Sequence, residues 1–182
     1  MKYLKYPLFL AMALIVLFVL FVIYGTIKDY RPDAQTILFE KMDAPVLKDS
    51  VFDIMIWNIG YCGLGHEMDF FYDGGSGVRP EKDLFHQNID QIMQLLFRAN
   101  KIDFCFLQEV DIHSKRSYYL NQYEVMQARL DYAHYAFARN YDVLFVPLPV
   151  LRPLGRVVAG QVTMSGYIPA ESVRYSLPGN YP

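Results

Sequence analysis

The sequence predicts an α/β domain preceded by one transmembrane helix, and three observations indicate this class. An uninterrupted apolar run lies between Lys5 and Lys28 near the N-terminus. A strand-like segment, a helix-like segment and a second strand-like segment then follow in that order. Further strand-like segments occupy most of the remaining sequence, so the later part of the chain tends towards β-structure.

The apolar run is typical of a membrane anchor. Residues 6–27 contain no charge and are almost wholly aliphatic or aromatic, and a helix of roughly 20 such residues spans a bilayer core of about 30 Å. A cleaved signal peptide would have a shorter apolar region and a small-residue cleavage site, which residues 24–28 do not offer. We therefore expect residues 1–28 to form an uncleaved signal anchor and residues 6–27 to cross the membrane.

The charges that flank the run indicate its orientation. Lys2 and Lys5 lie before it, whereas Lys28 and Arg31 lie beyond it among acidic residues. Cytoplasmic flanks carry an excess of Lys and Arg. The small positive bias at the N-terminus therefore predicts a single-pass protein whose globular part is extracytoplasmic.

The sequence after the anchor divides into a linker and a domain. Residues 29–50 mix charges, prolines and scattered apolar residues, as a juxtamembrane linker does, and residues 37–39 form a short strand or a docking segment within it. Residues 51–182 form the domain. The formal net charge of −2 singles out neither nucleic acid nor anionic lipid as a partner. Two cysteines are too few for a disulfide framework; we expect Cys105 to be buried and Cys62 to be partly exposed.

The first segments of the domain predict a crossover unit. Residues 51–58 are rich in branched and aromatic side chains, which is typical of a β-strand, and a glycine-rich loop follows over residues 60–79. Pro80 suits the first turn of a helix, which has one apolar face and ends at Asn100–Lys101. Residues 102–107 are nearly all apolar, as in a strand covered on both faces, so the two strands can pair in parallel.

The rest of the domain predicts one more helix and several strands. Residues 117–130 have helical periodicity. Tyr118 and Tyr119, with the neighbouring Lys115 and Arg116, are interpreted as a partly exposed helix start, and a nucleic-acid stacking platform is the alternative. Strand-like segments then follow over residues 135–138, 143–146, 158–164 and 173–177.

Polar side chains stand where the first two predicted strands end. Asn58 ends the first strand, and Glu109 follows the second. A crossover unit brings both carboxyl ends to the same edge of a sheet. A carboxylate supplies hard oxygen to Mg²⁺, which takes few protein ligands and keeps several waters. The strand order therefore predicts that Asn58 and Glu109 share one site; the alternative is that Glu109 is a solvated surface residue.

These segments resemble the first motifs of a known superfamily. Trp57-Asn58-Ile59-Gly60, followed later by Leu107-Gln108-Glu109-Val110, is similar to the first two motifs of the endonuclease/exonuclease/phosphatase superfamily. That superfamily includes deoxyribonucleases, abasic-site endonucleases and neutral sphingomyelinases. Residues 160–169 resemble its next core strand, although the usual Ser-Arg-Tyr-Pro ending is altered. The resemblance covers residues 51–170.

The resemblance implies the N-terminal part of a two-sheet α/β sandwich that hydrolyses phosphate esters as a phosphodiesterase, nuclease or phosphatase. Glu109 would be the metal-binding carboxylate, and Asn58 would orient the phosphate and lie beside the metal. The metal would be Mg²⁺, with Mn²⁺ or Ca²⁺ as alternatives. The later motifs of the superfamily, Gly-Asp-Phe-Asn and Ser-Asp-His, do not occur in the sequence, which predicts an incomplete domain that is inactive alone and lacks its general base.

Two functions from different classes stay open. The first is a membrane-tethered hydrolase whose substrate is nucleic acid or a phospholipid headgroup; the near-neutral charge disfavours a nonspecific nuclease. The second is a noncatalytic membrane-anchored binding or scaffold protein, although no protein partner is inferred. Two loop features also have alternative interpretations: Arg79 either contacts substrate or follows a plain glycine-rich connector, and His66 is either solvated or part of the site.

Overall fold

The computed structural model describes residues 5–48, 51–99 and 102–177. The chain divides into two compact units, Met1–Tyr30 and Arg31–Pro182. The predicted helix end at Asn100–Lys101 and the flanking charge of Lys2 lie outside the described residues.

The first unit contains the helix α1, Lys5–Ile27, which is 23 residues long. Its side chains are exposed on every face, and the helix is long and apolar enough to cross a membrane or to act as a signal anchor. A helix that is apolar all round belongs in a protein core or in a bilayer. The hydroxyl of Thr26 donates to the carbonyl of Val22 (2.9 Å), so this polar group is satisfied within the helix.

The described part of the second unit contains two sheets and two α-helices, which confirms the predicted α/β class. A four-stranded sheet has the order β2-β3-β5-β4, and β1 and β6 form a two-stranded sheet. The strands are β1 Gln35–Glu40, β2 Ile54–Asn58, β3 Phe104–Ser114, β4 His134–Val146, β5 Gly155–Ser165 and β6 Glu171–Tyr175, and the helices are α2 Lys82–Arg98 and α3 Gln122–Arg129.

The predicted crossover unit is confirmed as β2-α2-β3. Strands β2 and β3 pair in parallel from Ile54 opposite Phe104 to Asn58 opposite Gln108. The buried side chains of α2 pack beneath them together with those of β3; these residues are Phe85, Ile89, Met93, Leu96, Cys105 and Leu107. The apolar side chains that recur with the helical period in α2 therefore pack in one core with the inward-facing side chains that alternate along β3.

Helix α2 begins later than the sequence predicts. Pro80 precedes it, because the first helical hydrogen bond runs from the Phe85 N–H to the Glu81 carbonyl (2.9 Å). The Pro80 carbonyl instead accepts a hydrogen bond from the hydroxyl of Tyr118 (2.8 Å). The carbonyl of Pro80 thus ties the loop to the chain after β3 rather than to the helix.

Strand β3 continues well beyond the predicted residues 102–107, and Glu109 therefore lies inside a strand instead of following one. The continuation exists because β5 pairs with β3 past the point where β2 ends. Register shifts between Leu107 and Val110 and between Asp111 and His113 break the regular alternation. Such bulges conceal the strand from a period-two pattern.

Irregular backbone also explains two other differences between the predicted and the observed elements. The predicted strands over residues 135–138 and 143–146 are one strand, β4, with a register shift between Arg139 and Tyr141. The predicted helix over residues 117–130 is shorter, because Tyr118 and Tyr119 have left-handed backbones. Helix α3 begins after Asn121, whose side-chain oxygen accepts from the Glu124 N–H (3.3 Å) as an N-cap.

Part of the predicted linker is a paired strand. Strand β1 pairs antiparallel with β6, as the strand alternative for residues 37–39 predicts. The ring centroids of Phe39 in β1 and His134 in β4 lie 4.6 Å apart. His134 Nε2 also lies 2.9 Å from the hydroxyl of Ser172 in β6, so His134 contacts both strands of the small sheet. Burial lowers the pKa of His134 from its ordinary value.

One face of the large sheet is open over β2 and β3. Ile54, Ile56 and Phe106 point to this face and are 59%, 70% and 36% exposed. The opposite face carries Met55 and Trp57, which pack against the core under α2. Over β2 and β3 the large sheet is therefore covered on one side and exposes apolar side chains on the other.

The packing of α2 predicts that substitutions of two adjacent leucines have very different effects on the free energy of unfolding. Leu96 is fully buried, whereas Leu95 is 48% exposed. We expect Leu96→Ala to lower the free energy of unfolding by about 2–5 kcal/mol because it leaves a cavity. The control Leu95→Ala should change the free energy of unfolding by at most about 0.5–1 kcal/mol. Urea unfolding of the full chain in maltoside micelles measures both, and equal losses would contradict the assigned face of α2.

Candidate active site

A tight left-handed turn follows β2. The N–H of Gly60 donates to Oδ1 of Asn58 (2.9 Å), and the N–H of Ile59 donates to the carbonyl of Gln108 (3.1 Å). Gly60, Tyr61 and Cys62 have φ values of 52°, 53° and 57°. Few non-glycine residues adopt this region, so the turn is held by its surroundings. It sets Asn58 and Tyr61 at the carboxyl end of β2.

Glu109 occupies a second strained position. Its φ of 56° is left-handed, and it lies in the bulge between Leu107 and Val110 of β3. A bulge re-aims a side chain that a regular strand would point elsewhere. A left-handed backbone at a residue other than glycine costs about 1–3 kcal/mol, and such positions cluster at active sites and ligand clamps.

Two clefts meet at Glu109. The first, cleft A, has a volume of about 830 Å³ and is bordered by Asn58, Glu109, Trp57 and His66 together with apolar residues of α2. The second, cleft B, has a volume of about 560 Å³ and is rich in tyrosine. Leu64 and Glu109 border both clefts. The structure thus places Asn58 and Glu109 on the wall of the same cleft, and their chemical roles stay predictions.

A buried ion pair lies beneath the clefts. The Arg116 guanidinium donates from Nε to Oδ2 of Asp111 (3.0 Å) and from Nη2 to Oδ1 (2.9 Å). The two side chains are 8% and 0% exposed. The expectation that Arg116 belongs to a partly exposed helix start is wrong, because the buried carboxylate of Asp111 requires a cation.

The ion pair is joined to the turn after β2. The Arg116 Cζ lies 3.2 Å from the centroid of the Tyr61 ring, which is a cation–π contact. Gln122 of α3 bridges the same groups: its Oε1 accepts from the Asp111 N–H (2.9 Å), and its Nε2 donates to the Tyr61 carbonyl (2.6 Å). Elements from three parts of the chain therefore share one polar network.

The polar network also shifts the pKa values of Tyr61 and Arg116. Burial raises the pKa of Tyr61 to about 12; Arg116 opposes the rise, while Glu109 and Asp111 add to it. Burial alone would lower the pKa of Arg116, but the hydrogen bonds and charge of Asp111 outweigh this effect, so the pKa is raised. Tyr61 is therefore a neutral phenol and Arg116 a cation at neutral pH.

Both cysteines are buried free thiols. The expectation of a partly exposed Cys62 is wrong, because its side chain belongs to the hydrophobic core with Phe85 and Ile89 and is only 2% exposed. Burial, with a smaller contribution from Asp111, raises the pKa of Cys62 to about 12. Burial raises that of Cys105 to about 11. A thiol with so high a pKa is a poor nucleophile and metal ligand at neutral pH.

Arg79 and the glycine-rich loop make internal contacts. The Arg79 guanidinium lies 4.1 Å from the centroid of the Tyr118 ring, and its Nη1 lies 3.4 Å from the Lys115 carbonyl. In the loop, the N–H and hydroxyl of Ser76 donate to Oδ2 of Asp69 (3.0 and 3.2 Å). The hydrogen-bond donors of Ser76 are thus satisfied by a carboxylate from the same loop.

His66 borders cleft A, but its imidazole points into solvent and contacts the adjacent Glu67. Its side chain is 99% exposed, and its Nδ1 lies 3.1 Å from Oε2 of the adjacent Glu67. This geometry agrees with a solvated loop histidine.

Two residues that border cleft A, Glu109 and Asn58, carry oxygen donors of the type that Mg²⁺ takes. Over residues 5–48, 51–99 and 102–177, no group of three or more His, Cys, Asp or Glu side chains is arranged to hold a metal. Mg²⁺ is nevertheless often held by one or two carboxylates and several waters. Glu109 supplies a carboxylate, and Oδ1 of Asn58 keeps a second lone pair beside its bond to Gly60.

Sequence reasoning missed the aromatic and buried ionic residues around Glu109. Tyr61, Tyr72, Tyr141 and Arg116 all border cleft B. Asp111 offered one signal of the ion pair. A carboxylate that directly follows an apolar strand residue, Val110, requires a cationic partner if it is buried, and Arg116 is close by in the chain. Tyr61 and Tyr72 gave no signal, because their convergence depends on the folding of separate segments. Tyr141 gave a weak signal, since residues 140–142 follow a predicted strand, although such residues are ordinary turn formers.

Comparison with protein-family models, curated proteins and solved structures found no match to this chain.

The buried ion pair predicts a large loss of stability when one partner is removed. Asp111→Asn leaves the Arg116 charge buried and unpaired, which should cost about 3–5 kcal/mol in the free energy of unfolding. The control Asp90→Asn breaks the exposed Asp90–Arg129 pair and should cost at most about 1 kcal/mol. Urea unfolding followed by Trp57 fluorescence measures both; similar small losses would show that the buried pair does not anchor the fold.

The backbone of Glu109 predicts a gain of stability on substitution by glycine. Glu109→Gly removes the left-handed penalty and should raise the free energy of unfolding by about 1 kcal/mol. The neighbouring control Gln108→Gly, in the same bulge but without a left-handed φ, should lower it by about 0.5–1 kcal/mol. Thermal unfolding compares the two, and a loss at Glu109 equal to that at Gln108 would contradict stored strain.

Proposed function

We propose that this chain carries the metal-binding and phosphate-binding part of a membrane-tethered, metal-dependent hydrolase of phosphate esters related to the endonuclease/exonuclease/phosphatase superfamily. One observation carries the proposal: Glu109, in a strained left-handed bulge, borders the same cleft as Asn58. Strained positions cluster at active sites and ligand clamps, so the strain at Glu109 supports a site at this cleft. The motif resemblance and the geometry thus point to the same two residues.

Each residue has a distinct role in the proposal. Glu109 holds a divalent cation, Mg²⁺ in preference to Mn²⁺ or Ca²⁺, and Asn58 orients the phosphate. Since Oδ1 of Asn58 accepts from Gly60, its Nδ2 is the group that donates to a phosphate oxygen. A bound metal would stabilise negative charge on the phosphoryl oxygens. The Asp–His pair of the superfamily has no counterpart among the sequence motifs, so no proton transfer is assigned to this chain.

Contacts between the two sheets and the apolar helix α1 support two further parts of the proposal, the sandwich architecture and the membrane tether. The contacts of His134 with Phe39 and Ser172 bring the small sheet against the large one, which agrees with a two-sheet α/β sandwich. Helix α1 supports a single-pass tether. The extracytoplasmic orientation rests on the flanking lysines, and the substrate would be nucleic acid or a phospholipid headgroup.

A noncatalytic binding or scaffold protein is the second candidate. The exposure of Ile54 and Ile56, at 59% and 70%, favours it, because contiguous apolar surface often marks an interaction site. This candidate requires no metal at Glu109, so metal binding separates the two functions.

Metal binding to the full chain in maltoside micelles tests the proposal. We expect Mn²⁺, used as a paramagnetic probe for Mg²⁺, to bind, and Glu109→Gln to weaken binding at least about tenfold, or about 1.4 kcal/mol. The control Glu124→Gln alters an exposed carboxylate of α3 and should leave binding unchanged. Hydrolysis of bis(p-nitrophenyl) phosphate by this chain alone is expected to be absent. Mn²⁺ binding that is indifferent to Glu109→Gln would favour the scaffold function.

A further inference from the structure

Cleft B is lined by aromatic rings and carboxylates. Three tyrosines, Tyr61, Tyr72 and Tyr141, border it together with Asp73 and Glu109. Its volume of about 560 Å³ lies in the range of small-ligand sites. Aromatic faces carry negative charge density, so a cleft of this composition attracts cations.

An ordered turn presents Tyr72 and Asp73 to the cleft. The turn Phe71–Asp73 is a single 3₁₀ turn that ends at Gly74, whose φ of 89° allows the chain to reverse. The Tyr72 ring packs on those of Phe70 and Phe71, with centroid distances of 5.7 and 4.3 Å. Phe70 is itself buried. The position of Tyr72 is therefore built into the loop.

Tyr141 approaches from a different element. It follows the register shift in β4, where the bulge turns this part of the strand out of the regular alternation. Burial raises its pKa, and Tyr72 adds to the rise, which indicates that the two phenols are neighbours. Tyr61 comes from the turn after β2, so three separate segments supply the rings.

The charges of cleft B favour a cation over an anion. Among the described residues that border it, Arg116 is the one cation, and Asp111 neutralises it while Tyr61 covers its guanidinium. Asp73 and Glu109 remain as negative charges on the wall. A polyanion would meet no free lysine or arginine along this wall, whereas a cation would meet both rings and carboxylates.

We propose that cleft B binds a small organic cation of the quaternary-ammonium type against the rings of Tyr72 and Tyr141, with Asp73 as its counter-ion. The link to substrate rests on the proposed function: the cation would be the alcohol portion of a phosphodiester whose phosphate lies at Glu109. Cation binding by itself requires neither metal nor turnover. A nucleobase stacked on the same tyrosines is the competing occupant.

Choline and its neutral isostere 3,3-dimethylbutan-1-ol test the proposal by calorimetric titration of the full chain in maltoside micelles. We expect choline to bind at least about tenfold more tightly than the isostere, because only choline carries the charge. Tyr72→Leu, Tyr141→Leu and Asp73→Asn should each weaken choline binding about fivefold or more, whereas Tyr72→Phe keeps the ring and should bind nearly as well. The control Tyr175→Leu removes an exposed tyrosine of β6 and should have no effect.

Several outcomes would overturn the inference. Equal binding of choline and the isostere would exclude recognition of charge. Unchanged choline binding in both tyrosine-to-leucine variants would exclude the rings. Tighter binding of a nucleoside monophosphate than of choline would identify a stacking site for bases. Failure here is distinct from failure of the proposed function, because Mn²⁺ binding that depends on Glu109 would persist.

Discussion

Asp111 and Arg116 form a bidentate ion pair beneath the turn that follows β2, and the candidate site is assembled around it. Asp111 belongs to β3, Arg116 to the turn after β3, and Tyr61 to the turn after β2. Because both charges are buried, neither tolerates the loss of its partner. The pair therefore holds the two turns together, and Gln122 extends the hold to α3. Glu109 and Asn58 border one cleft next to this connection.

The backbone around this pair is irregular in the places where side chains are aimed at the clefts. Glu109 lies in a bulge of β3, and Tyr141 follows a register shift in β4. The long antiparallel pairing of β3, β4 and β5 absorbs these irregularities, because regular ladders continue on both sides of each one. A regular sheet thus supports strained positions that would not persist in an isolated strand.

The two clefts differ in chemistry although Glu109 borders both. Cleft A combines Asn58 with apolar residues of α2, whereas cleft B is tyrosine-rich and acidic. An ester with unlike groups on its two sides would match such a pair of clefts. The proposed hydrolase and the proposed cation site are therefore parts of one interpretation, in which the phosphate lies at Glu109 and one substituent enters cleft B.

The sequence by itself determined the apolar helix α1, the β2-α2-β3 crossover and the position of Asn58 and Glu109 at the same edge of the sheet, because each depends on local periodicity and strand order. Tertiary structure alone decided the length of β3, the single strand β4 and the burial of Arg116 and Cys62. Bulges hide the period-two pattern, and the sequence does not reveal which residues will cover a given side chain. The tyrosines of cleft B belong to the same group, since three distant segments meet there only after the sheet and the ion pair have formed.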